Sequence, residues 1–475
     1  MTKRSSIAAP ELVERTLAAA ARLAGCAVIV TESMQASLRW ANSTMTTNGL
    51  CTDGSITVVA LVAVPGGTAA GVAESSVAVT DPAQLAELVV AAEAAARDAG
   101  PAPDAMPLPD GPGGTDLDAA ASTWADPAAE TSIGVFARFV DGLAEVLAGP
   151  QRQYGFAQHG VTTTWLGTST GVRRRWVQPS GSVELNAKTP DLSGSAWAGV
   201  STRDFTDVDV VGLAATAARR LAWGARRVEL PAGRYETVLP PSAVADLMVF
   251  LNWSMAGRPA QEGRSALAGP TGPRTGERLT GLPLTLASDP AAPGLEYSPF
   301  LATSWSGDGV SVFDNGAAVR RVDWIRDGVV HELAYSRAEA AEFGTTFAPP
   351  GENLLLTGGT DGTDGTGGSV EDLVGRTARG LLLTCLWYVR EVDPTTLLLT
   401  GLTRDGVYLI EDGEVVGEVA HNFRFNHSPL DVLRRTPEVG ATERTLPREM
   451  DGFPLVAMPP IRVPEFNMSS VSLGR

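Results

Sequence analysis

At 475 residues the chain is long enough for two or three domains, and its 44% hydrophobic and 19% charged residues are the balance of a globular protein. Acidic side chains outnumber basic ones 54 to 37, and the formal net charge of −17 speaks against a nucleic-acid or anionic-membrane surface, both of which draw on clustered Lys and Arg. The longest apolar run, over 58–64, is far too short to cross a bilayer, and Glu11, Glu14, Arg15 and Arg22 interrupt any signal-peptide core, so the expected location is the cytoplasm.

Pro10 opens a helix predicted to reach residue 23 and stop at Gly25. Strands come next over 26–40 and 56–64, with Asn48-Gly49 and Asp53-Gly54 as turn signals. Asp81 is placed to cap an alanine-rich helix over 82–98, where Leu85, Leu88, Val89 and Ala92 make one apolar stripe. The result is an amino-terminal α-β-β-β-α unit over 1–99, the first part of an α+β protein. Over 100–118 the composition turns to Pro, Gly and Asp, as in a linker or surface loop. A middle α/β segment, 119–232, starts with a helix over 133–147, continues in strands over 160–166, 172–178 and 182–188, and ends in a helix over 208–222.

A strand over 235–239 and a double-proline stop then lead into a helix, with Ser242 as N-cap and Gly257 as the C′ residue. Val244, Leu247, Met248, Leu251 and Met255 keep helical spacing, while Val249, Phe250 and Trp253 fall on other faces; a helix apolar nearly all round is expected to be buried. A glycine-punctuated loop over 263–272 precedes a short strand over 282–286, closed by an Asp289-Pro290 turn. Beyond it, strands over 319–325 and 329–333 flank an Asp327-Gly328 hairpin turn, and Ser336 caps a helix over 337–343 that ends at Gly344. Strands over 397–402, 407–410 and 414–425 read as a meander turned at Asp405-Gly406 and Asp412-Gly413. A short helix from Ser428-Pro429 and a strand over 461–465 complete a β-rich carboxy-terminal domain with a few helices, 233–475.

The order of parts over 233–290 resembles the carboxy-terminal domain of the TldD/PmbA family of bacterial metallopeptidases. The likeness is carried by Gly233-Arg234-Tyr235, the Pro240-Pro241-Ser242-Ala243 lead-in to the helix, Gly263-Arg264-Ser265-Ala266-Leu267 with Gly269 and Gly272, and Asp289-Pro290. The strand-turn-strand with Ser169 and Gly171, and the amino-terminal unit, extend it with less specific residues. In the family's catalytic members the matching helix bears HExxxH, whose histidines bind zinc and whose glutamate activates water. Counting back without gaps from Ser265, the histidine positions are here Met248 and Trp253, and the glutamate position is Val249. The late cysteine that those members use as third ligand has no counterpart past Cys385. The resemblance therefore points to the PmbA (TldE)-like branch without its own zinc site. It implies a non-catalytic subunit, with no cofactor of its own, that pairs with a zinc-bearing TldD-like subunit to act on unfolded or leader peptides. A homodimer is the fallback when the partner is missing. Arg264 and Ser265 would line the vestigial cleft or the subunit contact, or else belong to a plain glycine-rich connector. A free-standing peptide-binding or scaffolding protein, and an unrecognised hydrolase, remain alternatives.

Other chemistry-bearing residues read more plainly. The histidines His159, His331, His421 and His427 show no HxxxH pairing, although His421 and His427 lie six apart. Cys26, Cys51 and Cys385 are odd in number, lack metal-ligand spacing and are expected as small core residues. Residues 167–171 match the GxSxG nucleophile elbow around Ser169, but residues 172–178 alternate like a strand where that elbow needs a helix, so a hairpin turn accounts for the pattern. The segment 358–368, with Asp361 and Asp364, lacks the closing Glu of a calcium loop and reads as a surface loop. Arg173, Arg174 and Arg175 are expected on a solvated strand edge.

Overall fold

A computed structural model describes residues 7–76, 81–111, 119, 121–358 and 368–472. The first sheet grows from one long hairpin, Gly25–Ala41 and Thr44–Val64, turned at Asn42 and Ser43 with φ of 50° and 58°. Two left-handed residues in succession match the twist of the flanking strands. The expected turns at Asn48-Gly49 and Asp53-Gly54 are instead strand residues, with Gly49 opposite Ser37 and Gly54 opposite Glu32. This arm's stretch over 44–55 is exposed or half-buried throughout and mostly polar, so it lacks the alternation that marks a half-buried strand. Cys51 sits on it in solvent, contrary to its expected place in a core, whereas Cys26 and Cys385 are buried.

The sheet runs in the order Gly67–Ser76, Thr44–Val64, Gly25–Ala41, Arg152–Thr168, Arg173–Lys188, Ser195–Thr202, antiparallel throughout. The segments 1–99 and 119–232, expected as separate units, thus contribute to one sheet. The strands over 172–178 and 182–188 are one continuous strand, and Ser195–Thr202 is an addition that pairs with it only from Gly181 onward. Pro179 therefore lies where the strand has an open edge, which suits a residue without an N–H. Side chains along Gly25–Ala41 alternate between two environments. Val28 and Val30 pack with Leu12, Leu85 and Val89 of the helices Ala9–Ala19 and Pro82–Ala99. Leu38 and Trp40 pack with Phe139 and Leu143 of Ala137–Leu147 and with Val210 of Val210–Trp223. Ala27 and Ile29, on the other face, meet Phe300 and Phe313 of the carboxy-terminal half. The described part of the predicted linker is no free tether, because Leu108 is buried in that same cluster; residues 112–118 lie outside the described residues. Asp81 caps Pro82–Ala99 as expected, in a capping box with Gln84.

In the carboxy-terminal half the strand Gly233–Leu239 passes straight into the helix Pro241–Trp253. Pro240 is the N-cap and Pro241 the first helical residue, where a missing N–H leaves nothing unsatisfied. Ser242 is therefore inside the first turn and not the cap. Gly257 does not close this helix either; it opens a short second one, Gly257–Gln261, and a Cβ there would stand 2.1 Å from the Tyr335 ring. Gly233–Leu239 is central to a sheet whose path is Leu386–Asp393, Leu398–Thr403, Asn422–His427, Ile461–Ser472, Gly233–Leu239, Arg379–Leu383, Val407–Glu411, Glu414–Val419, Arg227–Val228. The expected meander holds at Asp412-Gly413 but not at Asp405-Gly406, since Leu398–Thr403 pairs with Asn422–His427 and Val407–Glu411 with Arg379–Leu383. The hairpin over 379–411 bends, linked across the bend where Thr384 N–H donates to Gly406 O at 3.0 Å and Arg404 N–H to Cys385 O at 3.2 Å. Its two halves end up in different parts of the sheet.

A second sheet in this half contains Val322–Arg326, Thr285–Ser288, Leu354–Thr357 and Val456–Met458. The helix Pro241–Trp253 lies in the core between the two, in one cluster with Leu286, Trp324 and Leu356 on one side and Leu383, Phe423 and Phe466 on the other. The Asp327-Gly328 turn, with φ of 49° and 77°, and the Ser336 N-cap of Arg337–Phe343 are as the sequence predicts, and Glu339 completes a capping box there.

Gly71 marks a contact that tolerates no side chain. A Cβ there would lie 2.1 Å from Ala96 N and 2.3 Å from Ala92 O, so the helix Pro82–Ala99 rests on the strand backbone. Gly71→Ala should destabilise the chain by about 1–3 kcal/mol through overpacking, read as a lower urea midpoint. Gly49→Ala on the exposed arm, with Ser37 Oγ 4.0 Å away, should not lower it.

Candidate functional site

Met248, Val249 and Trp253, which the resemblance sets against a metal-binding helix, are not gathered into a site. Met248 and Val249 have no solvent exposure, while Trp253, at the last helical residue, is 57% exposed with its ring against Phe250. Trp253 thus departs from the expected all-round burial because the helix leaves the core there. A zinc ion takes imidazole, thiolate or carboxylate donors and, in a catalytic site, keeps a position open. A thioether and an isopropyl group sealed in an apolar core, with an indole turned to solvent, do not fit that ion.

Arg264 is exposed and pairs with Glu262, its Nε donating to Oε2 at 2.8 Å. Ser265 is buried, and its Oγ accepts the Leu267 N–H at 3.2 Å, a local bond of the connecting loop. Ser169 lies in the turn between Arg152–Thr168 and Arg173–Lys188, with its Oγ accepting the Cys26 N–H at 3.0 Å. The expected hairpin is therefore present where the nucleophile-elbow pattern stands. Arg174 and Arg175 are buried rather than solvated: Arg175 donates to Pro127 O at 2.6 Å and lies 5.5 Å from the Trp165 ring centre. Arg173 pairs with Glu14 and holds that carboxyl below its ordinary range. Asp361 and Asp364 lie outside the described residues.

The four histidines occupy four separate settings. His159 bonds Thr131 and Arg203 O, His331 sits beside Arg326, His421 Nδ1 is 3.3 Å from Glu229, and His427 stacks on Phe466. Burial pushes the His427 pKa down to about 4. Among the described residues, no three His, Cys, Asp or Glu side chains gather as metal ligands would.

Sequence reasoning missed Asp246, the one charged residue in Pro241–Trp253. A lone acid in an apolar helix was the available signal. Its side chain is fully buried; Oδ1 accepts the Glu449 N–H at 2.8 Å and the Met450 N–H at 3.1 Å, and Oδ2 has no partner among the described residues. The carboxyl pins the loop that carries Arg448, whose guanidinium lies 5.6 Å from the Trp197 ring centre and 4.8 Å from that of Trp387 and pairs with Glu184 at 3.1 Å. Arg448 in turn lines a cleft of about 520 Å³ between the loop over 192–195 and the segments over 404–405 and 418–422. Core helix, loop and cleft are thereby joined.

Burial pushes the Asp246 pKa up to about 8 from an ordinary 3.8. In that interval the folded chain holds a proton that the unfolded chain has released, so its stability falls as pH rises from about 4 to about 8 and levels off above. Asp246→Asn keeps an acceptor for the two N–H groups and removes the titration. The thermal midpoint of the native chain, measured relative to Asp246→Asn, should fall across that window; a constant difference would contradict a buried, protonated Asp246.

Residues 232–470 match the PmbA/TldA metallopeptidase C-terminal domain, and residues 76–224 match the PmbA/TldA metallopeptidase central domain. The fold is shared with TldE from Thermococcus kodakarensis, with a TM-score of 0.74 at 16% identity over 96% of this chain and 99% of that one. It is shared too with a protein described as a candidate modulator of DNA gyrase from Thermotoga maritima, with a TM-score of 0.71 at 16% identity over 96% and 99% of the two chains. Another such protein, from Bacteroides thetaiotaomicron, gives 0.74 at 14% identity over 97% and 98%. No curated protein sequence matches the chain. The structural likenesses speak to fold alone, and the two domain matches, one after the other along the sequence, carry the assignment: the chain belongs to the PmbA/TldD metallopeptidase family.

Proposed function

We propose that this chain is the non-catalytic, TldE-like subunit of a two-subunit peptidase, paired with a TldD-like subunit that brings zinc, base and water, and acting in the cytoplasm on unfolded or leader peptides. One observation carries the reading: Met248 and Val249 fill core space, without exposure, where the family's catalytic members place a ligand and a base. Peptide hydrolysis needs a water of lowered pKa and a group to stabilise the oxyanion, and apolar side chains in a close-packed interior provide neither. The role left to this chain is to shape the chamber and hold substrate.

A partner surface has support in the carboxy-terminal half, where Trp253, Trp305 and Tyr388 are each more than half exposed. Large aromatic side chains are the kind that interfaces cover. Among the described residues, no helix is long and apolar enough to cross a membrane.

The test is peptide cleavage by this chain, by a TldD-like protein from the same host and by their mixture, each with and without a chelator. The expected result is no cleavage by this chain alone and chelator-sensitive cleavage by the mixture. Chelator-resistant cleavage by this chain alone would overturn the reading.

A further inference from the structure

The cleft of about 520 Å³ falls within the usual range of small-ligand sites and is walled by both halves of the chain. Tyr154, Lys188 and Leu192 come from the first sheet and its loops, and Arg227, Arg404 and His421 from the carboxy-terminal side. Four cationic side chains, Lys188, Arg227, Arg404 and Arg448, line it against two carboxylates, Asp405 and Glu418. In a chain of net charge −17 the lining is thus richer in cations than in carboxylates.

The cations are not equivalent. Arg448 pairs with Glu184 between two indoles, Arg404 sits 3.4 Å from Asp405 and over the Trp387 ring, and Arg227 donates to Ser193 O at 2.7 Å. These arginines build the walls. Lys188 is one of two lysines in the sequence, the other being Lys3. Its Nζ lies 5.5 Å from the Tyr154 ring centre, and it forms no ion pair among the described residues. His421 lines the same cleft with a side chain only 9% exposed, and its Nε2 has no partner among the described residues.

The lip of the cleft is a loop braced by its own hydrogen bonds, with one apolar side chain, Leu192, at its tip. Asp191 Oδ1 accepts from Thr189 Oγ1 at 2.6 Å, Ser193 Oγ at 2.9 Å and Ser193 N–H at 3.1 Å, and Gly194 N–H donates to Thr189 Oγ1 at 2.9 Å. These bonds, the Thr189 hydroxyl first, hold the Asp191 pKa down to about 2. The loop they brace presents Leu192 with φ of 63° and 56% exposure. A leucine in left-handed backbone with its side chain in water is costly twice over, and contact with an apolar group would offset part of that cost.

We propose that this cleft binds the carboxyl-terminal end of a peptide, with Lys188 taking the α-carboxylate and Tyr154 and Leu192 the apolar terminal side chain. The proposal rests on the reading of this chain as a subunit that handles peptides, and assigns it the grip on the free end. The probe is acetyl-Ala-Ala-Leu, compared with its carboxyl-terminal amide and with inorganic phosphate, by titration calorimetry on the full chain without a partner. Losing one charge-assisted hydrogen bond corresponds to roughly tenfold or more in affinity. The free acid should therefore bind at least about tenfold more tightly than the amide. Lys188→Met should abolish that difference, and Lys188→Arg should keep most of it, both at an unchanged thermal midpoint. Equal binding of acid and amide, an acid affinity untouched by Lys188→Met, phosphate binding as tightly as the peptide, or no binding at all would each overturn the proposal. Because no partner is present, such a result leaves the cleavage test of the mixture independent.

Discussion

Burial of the helix Pro241–Trp253 on all sides, up to its last turn, is the constraint on which the carboxy-terminal half depends. A helix with one partner keeps a polar face, whereas a helix enclosed between two sheets cannot. Residues Ala243, Val244, Leu247, Met248, Val249 and Leu251 accordingly have no exposure. Enclosure also dictates the surroundings. Pro240 and Pro241 let the chain change from strand to helix with no intervening loop, and the hairpin over 379–411 bends so that Leu383 and Val407, before and after the bend, join Leu386 and Leu399 in the core around the helix.

The same constraint bears on chemistry. Ligands and a base buried in such a place would demand paired charges and hydrogen bonds, and replacing buried ionic groups with well-packed apolar ones is often neutral or stabilising. Met248 and Val249 fill that space with apolar side chains. Asp246 is the exception within the helix, and its position explains why it stays. By accepting two backbone N–H groups it ties the loop at 449–450 to the core, and that loop sets Arg448 between Trp197 of the first sheet and Trp387 of the carboxy-terminal half. The buried helix and the cleft at the seam are thus held in register by one carboxyl.

The seam itself has two distinct ends. One is apolar, where Ala27, Ile29 and Leu166 meet Phe300 and Phe313. The other is polar and cationic, with room for a ligand. An apolar contact fixes the two halves relative to each other, and the polar end is then free to remain open without loosening the assembly.

Much of the local structure was legible in the sequence because it depends on residues within about four positions of one another. The Asp81 and Ser336 N-caps, the Asp327-Gly328 and Asp412-Gly413 turns, the hairpin at Ser169 and the apolar run of the core helix are of this kind. So was the absence of histidine from the core helix, which is a matter of residue identity. Other features were decided only by tertiary structure. The neighbour of Leu398–Thr403 is set by how the hairpin bends around the helix, and no signal at Asp405-Gly406 specifies it. Asn48-Gly49 has the chemistry of a turn but lies opposite a partner strand that extends past it. Arg174 and Arg175 look solvent-seeking, yet a tryptophan ring and loop carbonyls receive them. The cleft draws Lys188 and His421 from opposite halves of the chain, and burial or charge summed over such distances has no periodicity along the sequence from which it could be read.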